Sequence, residues 1–446
     1  MRAKFWWRYK SVATATVLLF IAGYAVLFMT GVSSIRHLLD NLIAFYLITW
    51  GLYGLLSSLP RSEIGKRFIL TSLTIGLCVV MAEGAAMMRL VDFRGVFGTF
   101  DAKNALGSVG RRFDSELLWQ YEPYYSFEAD YQGNLGRGLC IPPDATQRIQ
   151  VRYDRHGFRN SRDLSQADIV VVGDSYIEAP MTPDAALSTT LLSRLQGKTV
   201  ANLGNSGYGP QQELGVLKRF GLGLQPETVV WAFFEGNDFS NAEQYDMSKK
   251  LISGENPYWQ DLWFRSFSRN LLALYFRSMK DCRPSTSLQQ YKGEFRDHTD
   301  TATPVFFASS EVVAPSEDEM KTVSEYILEA YRLCRRQGIR FLVVFVPEKY
   351  RVYHDLSNFE SGTEELRSWR VDNVPSRLKQ ILTMFAADIE YLDLTPALKA
   401  ESRKGIATYL PDDTHWTPAG HRVAAEAIDR ALSARDPHQV VRRGNL

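Results

Sequence analysis

Residues 167–180 read ADIVVVGDSYIEAP, and the reading of this stretch decides the fold. The apolar run Ile169–Val172 is too short for a helix and has no polar residue at alternate positions. Such a run suits a strand buried on both faces, as in a parallel sheet. It ends in Gly173-Asp174-Ser175, and a helix-like stretch follows. Either Ser175 caps an ordinary strand-to-helix turn, or it is a nucleophile displayed at the mouth of a buried strand.

The same rhythm of strand, turn and helix recurs downstream. Further strands are expected at TVANLG (Thr199–Gly204), TVVWAFFEG (Thr228–Gly236), IRFLVVFVP (Ile339–Pro347) and IEYLDL (Ile389–Leu394). Between them, SEDEMKTVSEYILEAYRLCRRQG carries Ser316 as N-cap, Glu319 three residues later and Gly338 as a stop. TPAGHRVAAEAIDRALSA opens with Thr417 as cap and Pro418 at the first helical position. Alternating strands and helices imply an α/β sandwich of helix, sheet and helix, spanning 166–435. Two stretches interrupt it, at about 239–315 and 349–385, and both leave from strand ends. They are candidates for lids or substrate walls, or for a partner-docking surface.

Upstream the character changes. A basic N-terminus (Arg2, Lys4, Arg8, Lys10) precedes three apolar stretches, Ser11–Gly31, Leu42–Leu59 and Phe68–Met88. Stretches of roughly twenty apolar residues are long enough to span a bilayer. Residues 1–92 are therefore expected to form a membrane region of about three transmembrane helices. Arg61, Lys66 and Arg67 lie between the second and third stretches, so by the positive-inside rule that loop and the N-terminus face the cytoplasm. Three crossings place the rest outside the cytoplasmic membrane, periplasmic or extracytoplasmic. The second stretch is short, and if it is only an interfacial hairpin the large domain is cytoplasmic. Glu83 sits in the third stretch, near the outer interface, with no role assigned. Residues 93–165 read as an irregular connection and 436–446 as a tail.

The formal net charge of +1 excludes a basic excess suited to nucleic acid. Of four cysteines, Cys140 and Cys282 are the expected disulfide pair, both lying in loop-like sequence, whereas Cys334 falls on a predicted helix. No cysteine or histidine cluster has metal-ligand spacing, so neither a metal nor another cofactor is expected.

Four places where a strand ends carry the chemistry: Ser175, Gly207 in NLGNSGYGPQQE, Asn237 in FFEGNDF, and Asp412 with His415 in LPDDTHWTPAGH. A parallel sheet brings all four to one edge. Ser175 would attack an ester carbonyl, His415 would take and return the proton, and Asp412 would hold the imidazole tautomer. The backbone N–H groups of Ser175 and Gly207, with the Asn237 amide, would face the oxyanion. Asp413 is the alternative acid, with Asp412 preferred. His354 and His421 are expected on solvated surfaces.

In this order the four blocks resemble those of the SGNH, or GDSL-like, hydrolase superfamily over residues 150–435. The resemblance implies a flavodoxin-like three-layer fold and serine esterase or acyltransferase chemistry without metal. The first block reads GDSY in place of GDSL, and Asp413 sits at the Asp-x-His spacing of some alginate-acetylation relatives. HGFRNSRD (156–163) resembles the segment before the first block in exported bacterial members. VPEKYRVYHD (346–355) is similar to a stretch in the branch that O-acetylates exopolysaccharides such as alginate.

Together these readings point to a membrane-anchored esterase or O-acyltransferase, acetyl being the expected group, acting on an acylated carbohydrate or other envelope ester. Its expected partners are the lipid bilayer and a membrane-bound acyl-donor protein. A lipase-like esterase and a catalytically silent scaffold of this fold are the alternatives.

Overall fold

The computed structural model describes residues 63–97, 110–131, 133–138, 147–254, 262–263, 265–279, 291–307, 314–359, 363, 366 and 368–434. The chain forms two compact units, Met1–Val109 with Leu251–Asp281, and Gly110–Lys250 with Cys282–Leu446.

In the first unit a helix runs over Glu63–Met87 and another over Phe267–Met279. The Glu83 carboxylate accepts hydrogen bonds from Ser266 Oγ (3.1 Å) and from the N–H groups of Phe267 (3.2 Å) and Ser268 (2.7 Å). A helix start leaves its first N–H groups unsatisfied and favours negative charge, so Glu83 is a structural cap. Ile75, Leu77, Val80 and Met81 are exposed on the first helix. Among the described residues no helix is long and apolar enough to cross a membrane. The apolar stretches Ser11–Gly31 and Leu42–Leu59 lie outside the described residues, as do Cys140 and Cys282.

The second unit is built on five parallel strands, β1 (Ile169–Gly173), β2 (Val200–Gly204), β3 (Thr228–Phe234), β4 (Arg340–Val346) and β5 (Glu390–Asp393). Each falls within an expected strand. Their order is 5-4-3-1-2, the flavodoxin-like arrangement, whose ligand crevice lies between β1 and β3 where the winding reverses. The register pairs Gly173 with Gly204 and Phe234 with Val346, so the strands' carboxyl ends share one edge.

The strands carry apolar residues at every position because both faces are covered. On one face Ile169, Val171, Val230, Ala232, Leu342 and Val344 join a core with helices α2 (Ser188–Gln196) and α9 (Pro418–Ser433). On the other, Val170, Val172, Val229, Trp231, Phe233 and Val343 are equally buried. On that side helix α5 (Glu317–Arg336) packs against α3 (Pro210–Val216) and α7 (Val374–Phe385). The Ser316–Glu319 capping box is formed in both directions, and Thr417 Oγ1 accepts from Gly420 N–H at 3.2 Å.

The expected irregular connection is not irregular where it is described. Arg111–Asp114 pairs antiparallel with Leu118–Tyr121, and Ser126–Tyr131 with Gln147–Arg152. Both hairpins belong to the second unit. SFEADY mixes charge with aromatics and QRIQVR mixes charge and amides with two aliphatic residues, so neither gives the strand signal of a continuous apolar run. Within the first interruption, a further hairpin joins Lys292–Arg296 to Ala302–Phe306.

His421 also departs from expectation. It is 1% exposed, with Nε2 3.0 Å from Thr182 Oγ1 and Nδ1 accepting from Ser188 N–H at 3.3 Å. Burial, together with the nearby Arg159 and His415, pushes its pKa down to about 3. The unfolded chain takes up this proton near pH 6.5 and the folded chain does not. Stability is therefore lost as pH falls below about 6.5, by up to ~1.4 kcal/mol per pH unit from this group. Thermal melts at pH 7 and pH 5 are expected to show a smaller drop for His421→Asn than for the unaltered chain. Each ~1 kcal/mol corresponds to about 2–4 °C in Tm.

Candidate active site

Ser175 begins α1 (Ser175–Glu178), directly after β1. Asp174 caps this turn, its Oδ1 accepting from Tyr176 N–H at 2.9 Å. The turn lies tight against the neighbouring strand: a Cβ on Gly204 would come within 2.5 Å of Glu178 N. Residue 204 therefore has no room for a side chain.

His415 arrives from the loop between α8 (Thr395–Ser402) and α9. Its Nε2 lies 2.8 Å from Ser175 Oγ and its Nδ1 2.5 Å from Asp413 Oδ1. The acid facing the imidazole is thus Asp413, which corrects the preference for Asp412. The Asp412 carboxylate instead accepts from Gly133 N–H at 3.1 Å. The cause is a turn within the loop, in which Asp413 Oδ1 also accepts from His415 N–H at 2.9 Å. That short-range bond folds the carboxylate back beneath the ring two residues on.

Asp413 is wholly buried. Its Oδ2 accepts from Asn134 N–H at 2.7 Å and from the Tyr131 hydroxyl. Burial alone would raise its pKa, but His415 and these hydrogen bonds outweigh it and hold the carboxyl far below the usual range. For His415, burial opposes the imidazolium and the Asp413 charge favours it. The net effect is a raised pKa. Asp174 is displaced upward by burial.

The tyrosine that departs from GDSL has a visible task. Tyr176 donates its hydroxyl to Thr414 O at 2.5 Å, and its ring centre lies 5.0 Å from that of His415. It ties the serine turn to the histidine loop.

Gly207 and Asn237 emerge on the same edge, after β2 and β3. Gly207 has φ +84°, a conformation that favours glycine, and a Cβ there would meet nothing within 4 Å. The preceding peptide is held from two sides. Ser206 N–H donates to Glu178 Oε2 at 2.5 Å, and Ser206 O accepts from Arg111 Nη2 at 3.1 Å. Glu178 in turn receives the Tyr153 hydroxyl. Asn237 is half-buried at the start of α4 (Asp238–Gly254), its carbonyl accepting from Asn241 N–H at 2.7 Å. A cavity of about 280 Å³ lies beyond the ends of β3 and β4, lined by Glu235, Gly236, Phe239, Tyr350, Arg351 and Asp372. Sequence reasoning missed Tyr131, Asn134, Tyr153 and Arg111, because all four lie in the stretch read as a connection.

A family model described as "SGNH hydrolase-like domain, acetyltransferase AlgX" matches residues 305–444, which include the histidine loop. Over that stretch the chain is similar to the SGNH hydrolase-like domain of alginate acetyltransferases. Two curated proteins named "Probable alginate O-acetylase AlgJ" support that relationship. The Pseudomonas syringae pv. tomato protein is 24% identical over 219 residues, covering 48% of this chain and 51% of its own length. The Pseudomonas putida protein is 25% identical over 215 residues, with the same coverage. The chain thus spans about half the length of these curated relatives.

Among solved structures, an acetylxylan esterase from Geobacillus stearothermophilus matches at 12% identity and TM-score 0.32, over 60% of this chain and 95% of its own. A GDSL-like lipase from Bacteroides thetaiotaomicron matches at 13% identity and TM-score 0.30, over 60% and 87%.

Proposed function

We propose that this chain is a serine-dependent acyl-ester enzyme that removes or transfers an acetyl group on an extracytoplasmic carbohydrate. The observation that carries the reading is the hydrogen-bonded line from Ser175 Oγ through His415 to the buried Asp413. His415 Nε2 takes the Ser175 proton as Oγ attacks the ester carbonyl. The N–H groups of Ser175 and Gly207 and the Asn237 amide face the developing oxyanion. Collapse of the tetrahedral intermediate expels the alcohol, protonated by His415, and leaves acyl-Ser175. Water or a sugar hydroxyl, deprotonated by His415, then attacks the acyl carbonyl and frees the serine. Asp413 holds the tautomer and stabilises the imidazolium throughout.

The carbohydrate substrate is supported by the AlgJ proteins' names. The membrane tether, with the sandwich on its outer side, is supported by the apolar stretches and flanking basic residues of 1–92. A lipid bilayer and an acyl-donor partner belong to the same reading. Turnover of a small acetyl ester, with and without an oligosaccharide acceptor, tests it. Ester turnover is expected in both cases, and acetylated sugar identifies transfer. A chain that releases no acetate and acetylates no sugar is not this enzyme.

The pH dependence has a definite sign. Only neutral His415 can accept the serine proton, and Asp413 raises its pKa above the ordinary ~6.5. The acidic limb of kcat/KM is therefore expected to have its midpoint above ~6.5, with activity rising through it. A midpoint at or below that value would contradict the Asp413–His415 pairing.

A further inference from the structure

Lys349 opens helix α6 (Lys349–Tyr353), just beyond the carboxyl end of β4, and is wholly buried. Lysine seldom occupies such a position without partners that satisfy its charge. Its ammonium donates to the backbone carbonyls of Leu410 (2.6 Å), Pro411 (2.8 Å) and Asp413 (3.1 Å). An ammonium has three N–H donors and no acceptor, which suits it to a cluster of three carbonyls. The Phe307 ring centre lies 5.7 Å from Nζ.

All three carbonyls belong to the loop that presents Asp413 and His415. That loop is closed by a bridge between Tyr409 and Trp416, with Leu410 N–H donating to His415 O at 2.9 Å. Inside the bridge the backbone has neither helix nor sheet to fix it. Carbonyls turned into the protein there need donors from elsewhere in the fold; Lys349 supplies one to each of the three, and Phe306 N–H a second to Pro411 O at 2.9 Å.

We propose that Lys349 is a positioning residue for the Asp413–His415 pair: by gripping the peptides of residues 410, 411 and 413 it sets where the Asp413 carboxylate meets the imidazole. The inference rests on the serine-esterase reading. Lys349 acts through the loop and touches neither substrate nor the reacting atoms. A misplacement of about 1 Å in a reacting constellation can cost ~100-fold in rate.

The test uses the full chain, a small acetyl ester and four variants: Lys349→Met, Lys349→Gln, Asp413→Asn and the double variant Lys349→Met/Asp413→Asn. Lys349→Met is expected to lower kcat by about 100-fold with KM within about threefold. The acidic midpoint of its kcat/KM profile should move down, because the carboxylate no longer holds the imidazolium. In the double variant kcat should fall little further than with Asp413→Asn alone, since both changes disable one device. Lys349→Gln keeps two N–H donors on a shorter stem, is expected to lie between, and carries the pH measurement if the methionine variant does not fold.

A folded Lys349→Met chain with an unmoved midpoint, or losses that multiply in the double variant, would overturn the positioning role and leave the esterase reading intact. Failure of both Lys349 variants to fold would make Lys349 a stability determinant and likewise overturn it. An unaltered chain without ester turnover would remove the esterase reading and this inference together.

Discussion

Ser175→Ala is expected to abolish acetyl-ester turnover, with kcat falling by about 10⁶-fold, the scale for loss of a serine nucleophile. A fluorophosphonate should label the unaltered chain at Ser175 and leave the variant unlabelled. Folding should be preserved, because the Asp174 cap and the Tyr176 contacts do not use the Ser175 hydroxyl. Equal Tm values with lost labelling would locate the defect in chemistry. Retained turnover in the alanine variant would show that the acyl group is not carried by this serine, and the proposed function would fail with it. Ser175 Oγ lies 2.8 Å from the nitrogen that would take its proton and 3.3 Å from Asp174 Oδ2.

The second large effect separates two adjacent aspartates. Asp413→Asn is expected to lower kcat by about 10⁴-fold, since an amide cannot hold the tautomer or stabilise the imidazolium as a carboxylate does. Asp412→Asn is expected to stay within about tenfold, equivalent to ~1.4 kcal/mol, because its carboxylate faces the Gly133 N–H and not His415. Steady-state kinetics on the two variants decide between them. The reverse order would mean that the loop rearranges when substrate binds. The Asp413 variant should also shift the acidic limb of kcat/KM downward, since the group that raises the His415 pKa has lost its charge.

How much of this was open to reading depends on the range of each signal. The five strands were legible because a sheet covered on both faces leaves unbroken apolar runs, and the helix starts were legible because caps are local. Ser175, Gly207, Asn237 and His415 follow from where those strands end, and parallel order carries them to one edge. By contrast, the hairpins of 111–152 have mixed polar and aromatic strands, and they supply Tyr131 and Tyr153 to the site. His421 reads as a surface residue on an amphipathic helix, yet its ring is enclosed by Thr182 and Ser188. Nothing local in EKYRVY marks Lys349 as buried, and its partners lie some sixty residues away.

The sequence by itself determined the α/β plan, the strand ends that carry the polar groups, and the serine and histidine that meet across the edge. Only the tertiary structure decided which carboxylate stands behind the histidine and what holds it there. Periodicity and capping are properties of neighbouring residues. The direction of one carboxylate depends also on donors such as Tyr131, 282 residues distant in the chain, which reach it only when the second unit folds.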